Sequence, residues 1–185
     1  MVTLIKDIFM FFARFPQKAG VLEMFTNGRS DLPEYTQWMQ EVNNLPDNPL
    51  LGDIKHYVMG VDPENVVSRI STFSDCFLFV DYGQIENEID RVNNRRESWI
   101  IAITIAYPSR DSNNDLVERA IKSDRALDLL CRLRHILIQE EKCIPWLKNF
   151  QADHIITPWV SDDMASSYGW TVIIHRQGFD LLRGK

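Results

Sequence analysis

The spacing of apolar side chains changes character near residue 76. Before it, Leu4, Ile5, Ile8, Phe9 and Phe12 recur at helical intervals, and Pro16 marks the end of that segment. Pro33 opens a second short helix through Tyr35, Trp38, Met39 and Val42, and the breakers Pro46, Pro49 and Gly52 prevent its continuation. Asp62 and Pro63 suit the N-cap and first position of a third. From Cys76 to Tyr82 the chain is β-rich, ended by Gly83. Trp99 to Tyr107 is almost entirely apolar, the mark of a strand covered on both faces, and Pro108 stops it. Between the two strands, residues 84–98 are polar and read as a loop longer than a hairpin turn requires.

The strongest helical pattern runs from Asp115, one of several N-cap candidates, to about Glu141. At about 100° per residue, Leu116, Ala120, Leu127, Cys131 and Ile138 share one face, flanked by Leu130 and Leu137. That face is expected to meet the core. Arg134 intrudes on its edge, which the long stem explains if the charged head reaches water; a buried or inter-subunit ion pair is the alternative. Two further strands follow, His154 to Val160 and Trp170 to His175, with Pro158 favouring an edge or bulge position for the first. The predicted fold class is α+β, a four-stranded, mainly antiparallel sheet (β-β-α-β-β) packed on one long helix. The predicted organisation is a helix-rich N-terminal extension, 1–75, and a sheet domain, 76–185, forming one unit.

Composition adds constraints on function. The 185 residues are 45% hydrophobic and 25% charged, with a net charge of −6. An acidic surface gains nothing from counterion release, which argues against generic nucleic-acid binding. Cys76, Cys131 and Cys143 make an odd count without C-x-x-C spacing, as expected in a reducing compartment. Lys6 and Asp7 interrupt the apolar N-terminus, and no apolar stretch approaches the ~20 residues that span a bilayer. The expected setting is soluble and intracellular.

Candidate chemistry is sparse. No G-x-G-x-x-G occurs among the eight glycines. In a symmetric hairpin His154 lies opposite His175, and the pair, with Asp153, would offer divalent-metal ligands for a hydrolase; half-exposed sheet histidines are the ordinary reading. Cys131 and His135 are one helical turn apart, but a cysteine on an apolar face behaves as a small hydrophobe. Acid clusters at Glu86/Glu88/Asp90, Asp111/Asp115, Glu140/Glu141 and Asp162/Asp163 lack the convergent strand-end pattern of nucleases, and Asp111 and Asp115 read as helix caps. The sequence therefore assigns no catalytic, cofactor-binding or metal-ligating residue, and the expectation is a protein that is not an enzyme. Arg91, Arg95 and Arg96 sit among Glu86, Glu88, Asp90 and Glu97, a mixed-charge ribbon suited to ion pairing with a protein surface. Trp159, beside Pro158, is a candidate exposed contact.

The succession Phe77–Tyr82, long polar hairpin, Trp99–Tyr107, helix from Asp115 and closing strand Trp170–His175 resembles the arrangement of bacteriophage tail-terminator and related minor tail proteins. The resemblance covers about residues 76–178 and lies in the order and lengths of elements. It implies a structural protein of virion assembly that forms a ring on the tail tube, with itself and other tail or connector proteins as partners. It implies no catalytic residue and no cofactor, and a place in the cytoplasm of a bacterial host cell or in a virion; charge and hydropathy, as above, predict neither nucleic acid nor membrane as a partner. Arg91, Arg95, Arg96, Arg134 and Trp159 are the candidate partner contacts. The alternatives are a small acidic regulatory or immunity-type binding protein, and a metal-dependent hydrolase using His154 and His175.

Overall fold

A computed structural model describes residues 4–26, 28–89, 95–109, 115–147, 150–161 and 167–178, with backbone alone for 87–89, 95–97, 145, 150–155, 159–161 and 176–178. The predicted early helices form as α1 (Leu4–Phe12), α3 (Pro33–Asn43) and α4 (Pro63–Ile70), joined by a one-turn α2 (Lys18–Leu22) that the apolar pattern does not announce. Asp62 caps α4, its carboxylate accepting from the Glu64 amide at 3.1 Å, and Pro63 follows where its missing N–H is harmless.

Among the described residues the sheet has five strands, not four, and it is mixed. Its order is β1 (His56–Met59), β2 (Phe77–Ile89), β3 (Arg95–Pro108), β5 (Ser167–Gly178), β4 (Phe150–Ser161). β2, β3, β5 and β4 are antiparallel as expected. The unforeseen strand, β1, pairs parallel with β2, His56 opposite Phe77 and Met59 opposite Val80, and α4 makes the crossover between them. Four residues are too few to display a period, so β1 leaves no pattern to read. β4 is an edge strand, in keeping with Pro158.

Residues 84–89 and 95–98 are not loop. They continue β2 and β3 as a ribbon, Gln84 opposite Ile100 through Ile89 opposite Arg95. A bulge between Asp81 and Gln84 re-aims this ribbon: the Trp99 indole N–H donates to the Tyr82 carbonyl at 2.6 Å, and the Asp81 carboxylate accepts from the Gly83 amide at 2.9 Å.

One face of the sheet carries Tyr57, Leu78, Val80, Ile101, Ile103, Ile105, Val172 and Ile174, all buried. The long helix α5 (Leu116–Glu140) packs on this face over β3 and β5, and α1 packs over β1, where Phe9 meets Tyr57 at a ring separation of 5.4 Å. Ile8, Phe9, Phe11, Phe12 and Phe15 thus join the same apolar cluster as the strands. The opposite face is covered over β1 and β2 by α4, with Val66, Ile70 and Phe73 on Val58, Phe77, Phe79 and Ala106. Among the described residues, no helix is long and apolar enough to cross a membrane.

Candidate interaction surface

The orientation of α5 differs from expectation, and the difference creates an exposed surface. The side chains it buries are Ala126, Leu129, Leu130, Leu133 and Leu137. The stripe expected to face inward lies roughly 115° round the helix at about 100° per residue. Leu116, Ala120, Cys131 and Ile138 on it are exposed and Leu127 is half-buried. The helix carries two apolar stripes, and the one with four closely spaced leucines removes more apolar area from water, so it takes the core. The other is left outside. On it Leu116 is 74% exposed and Ile138 46%; Val117, 68% exposed, and Ile121, 50%, lie on the adjoining side of the first turns.

The Asp115 carboxylate holds the start of this surface by accepting from the amides of Val117 and Glu118, at 2.9 and 3.2 Å. The Trp170 indole N–H reaches the Ser123 carbonyl at 3.0 Å from β5 and fixes the rotation of the helix. Lys122 pairs with Glu118 at 2.6 Å one turn back, on the side of the helix away from the exposed stripe. Arg134 is half-buried and its Nε is screened from solvent, so its head does not simply extend into water. His135 faces Gln139 at 2.8 Å, and both it and Cys131 lie on the open surface of the helix, not in a cleft among the described residues.

Beside the first half of α5, at the starting ends of β1 and β2, lies a cleft of about 680 Å³ lined by Asp53, Lys55, Asp75, Tyr107, Lys122, Asp124, Arg125 and Asp128. Four carboxylates face three cations there, so the wall is mixed in sign. Beneath it Tyr107 and Cys76 lie side by side; burial pushes the Cys76 thiol up to about 12 and raises Tyr107 as well. Both groups stay protonated near neutrality, which makes Cys76 an inert thiol.

The partner contacts expected from sequence do not converge on one element. Arg95 and Arg96 occupy ribbon positions opposite Ile89 and Glu88, with side chains outside the description, and Arg91 lies outside the described residues. Trp159 pairs with Gly169 in the edge strand β4; its side chain is also outside the description. Arg134 is on α5, away from all of these in the chain. The symmetric register expected for the last hairpin is corrected. His175 is opposite Gln151, and His154 falls in an irregularity of the pairing between Ala152 and Ile156. Of the acid clusters, Asp90, Asp111 and the pair at 162–163 are outside the described residues, while Glu140 binds Arg14 at 2.7 Å. Among the described residues, no three His, Cys, Asp or Glu side chains are grouped to hold a metal ion. Val117 and Ile121 belong to the exposed surface without having been singled out by the sequence. The available signal is a second apolar arc on a helix that needs only one.

Comparison of the chain with family models, with curated proteins and with solved structures finds no match.

Proposed function

We propose that this protein is a structural assembly subunit, working through contacts with further copies of itself and with other proteins, in the manner of the phage tail terminators that its element order resembles. The observation that carries this reading is the exposed apolar arc of α5. Leu116, Val117 and Ile121 lie exposed within its first turn and a half, and soluble monomers seldom leave several large apolar side chains together in water unless they mark an association site. The N-terminal helix, the other amphipathic element that could meet a neighbour, has its apolar side buried in its own core. The arc of α5 takes over that role. The β2–β3 ribbon, whose sequence intersperses Glu86, Glu88 and Glu97 with Arg95 and Arg96, is the segment suited to a second partner such as a tube or connector protein. Mixed charge in the cleft beside α5 also favours assembly over an acidic inhibitor that would cover a basic partner.

Light scattering on the purified chain tests the reading. The expected mass is a multiple of 21.6 kDa. Ile121→Glu should weaken association by about 2 kcal/mol, roughly thirtyfold in Kd, while leaving circular dichroism unchanged. A mass equal to a lone chain at high concentration, with and without a tail-tube protein, would overturn it.

A further inference from the structure

The outer face of α5, opposite its buried leucines, carries charge in a definite order. Asp124 and Asp128 come first and Arg132 and His135 follow, with Ala120 and Ile121 before them and Ile138 after. All seven are exposed. Within one chain Arg132 reaches Asp128 only at 3.8 Å, and both side chains are more than half exposed, so each keeps capacity for a further partner. Asp124 and Asp128 also edge the mixed-charge cleft, but its cations Lys122 and Arg125 lie further round the helix at about 100° per residue.

That order is self-complementary when two copies of α5 lie antiparallel about a twofold axis beside Leu129 and Leu130. Asp128 of one chain then comes level with Arg132 of the other, Asp124 with His135, and Ala120 with Ile138. At about 100° per residue the members of each couple fall on the same side of the contact, so they can meet. A parallel pair would instead set each aspartate against its own copy, and like charges brought together oppose association.

We propose that the outer face of α5 binds the same face of a second copy of this chain, antiparallel and across a twofold axis. The proposal rests on the assembly reading above and names what covers the arc. An isologous contact closes on itself, so it joins chains two at a time and leaves contacts with other proteins to other surfaces. Cys131, exposed on this face, stands one to two residues past the axis. At an interaxial distance of about 8–10 Å the two Cys131 Cα atoms come roughly 6–7 Å apart, near the limit of disulfide reach.

Cross-linking tests this in the full chain carrying Cys143→Ser, where Cys131 is the one exposed thiol left. A short bismaleimide, which couples one thiol at each end, should trap a covalent pair of chains, and adding Cys131→Ser should abolish it. Charge reversal gives a second arm. A chain with Asp124→Arg and Asp128→Arg, and another with Arg132→Asp and His135→Asp, should each self-associate about tenfold more weakly or worse. Their equimolar mixture should restore both the pair and its Cys131 cross-link. The substituted positions are exposed, so circular dichroism of each variant should match the parent. A light-scattering mass that is a multiple of the lone chain, without a Cys131 cross-link, would overturn the antiparallel contact and leave the assembly reading standing. So would a mixture no tighter than either charge variant alone. A lone-chain mass at high concentration would overturn both.

Discussion

Gly20 shows how a single missing side chain permits a contact between elements. It lies in α2, whose backbone presses on the strand entering β1, and an ideal Cβ built there falls 1.9 Å from the Lys55 carbonyl oxygen. No rotamer can relieve a clash between Cβ and a backbone atom, so the helix or the strand must shift. Gly20→Ala is expected to destabilise by about 3 kcal/mol, the upper part of the range for overpacking. Gly52→Ala, whose Cβ would meet only a Pro49 side-chain atom at 3.4 Å, should change the urea midpoint little. Cys76 gives a second test at this scale. Burial raises its pKa from an ordinary 9.0 to about 12, so the folded chain keeps a proton that the unfolded chain loses first. The unfolded state then binds fewer protons, and stability falls as pH rises through that interval. Tyr57 and Tyr107, raised chiefly by burial, act in the same direction. Urea midpoints measured from about pH 8.5 to about 10.5 should decline, and Cys76→Ala should flatten the decline. Cys131 and Cys143, both exposed, should alkylate in the native protein while Cys76 does not.

At the scale of elements, the long patterns are legible in the sequence and the short or two-sided ones are not. α5 is readable in extent because Asp115 caps it and its apolar residues recur over about seven turns. Its rotation is not, because a helical wheel ranks arcs by hydrophobicity and cannot say which arc the sheet will occupy. The same ambiguity hides the candidate interaction surface: Leu116, Ala120, Cys131 and Ile138 do form one face, but water and not the core lies against it. β2 and β3 are legible only where they cover the core. Beyond the bulge, Gln84, Glu86 and Ser98 continue the strands without an apolar face, so their polarity resembles that of a loop. Asp115→Ala should cost about 1 kcal/mol by orphaning the amides of Val117 and Glu118. Because those residues anchor the exposed arc, the same substitution should also lower the mass seen by light scattering. Hydrogen exchange at the first turn of α5 would register the loss directly.

Across the whole molecule, residues before and after 76 share one sheet and one apolar cluster. The ring of Phe11 stacks edge-on against Trp146 at 5.2 Å, and Arg14 grips Glu140 close by. The contribution of that ion pair is no more than about 1 kcal/mol, since both partners are a third exposed. The aromatic contact matters for another reason, which concerns birth order. Translation delivers Ile8, Phe11 and Phe12 first and their tryptophan roughly 135 residues later, an interval on the order of 10 s at ordinary elongation rates. For that time the Phe11 side of the helix goes uncovered, while its Phe9 side can already settle on Phe25, Trp38 and Tyr57, which leave the ribosome far sooner.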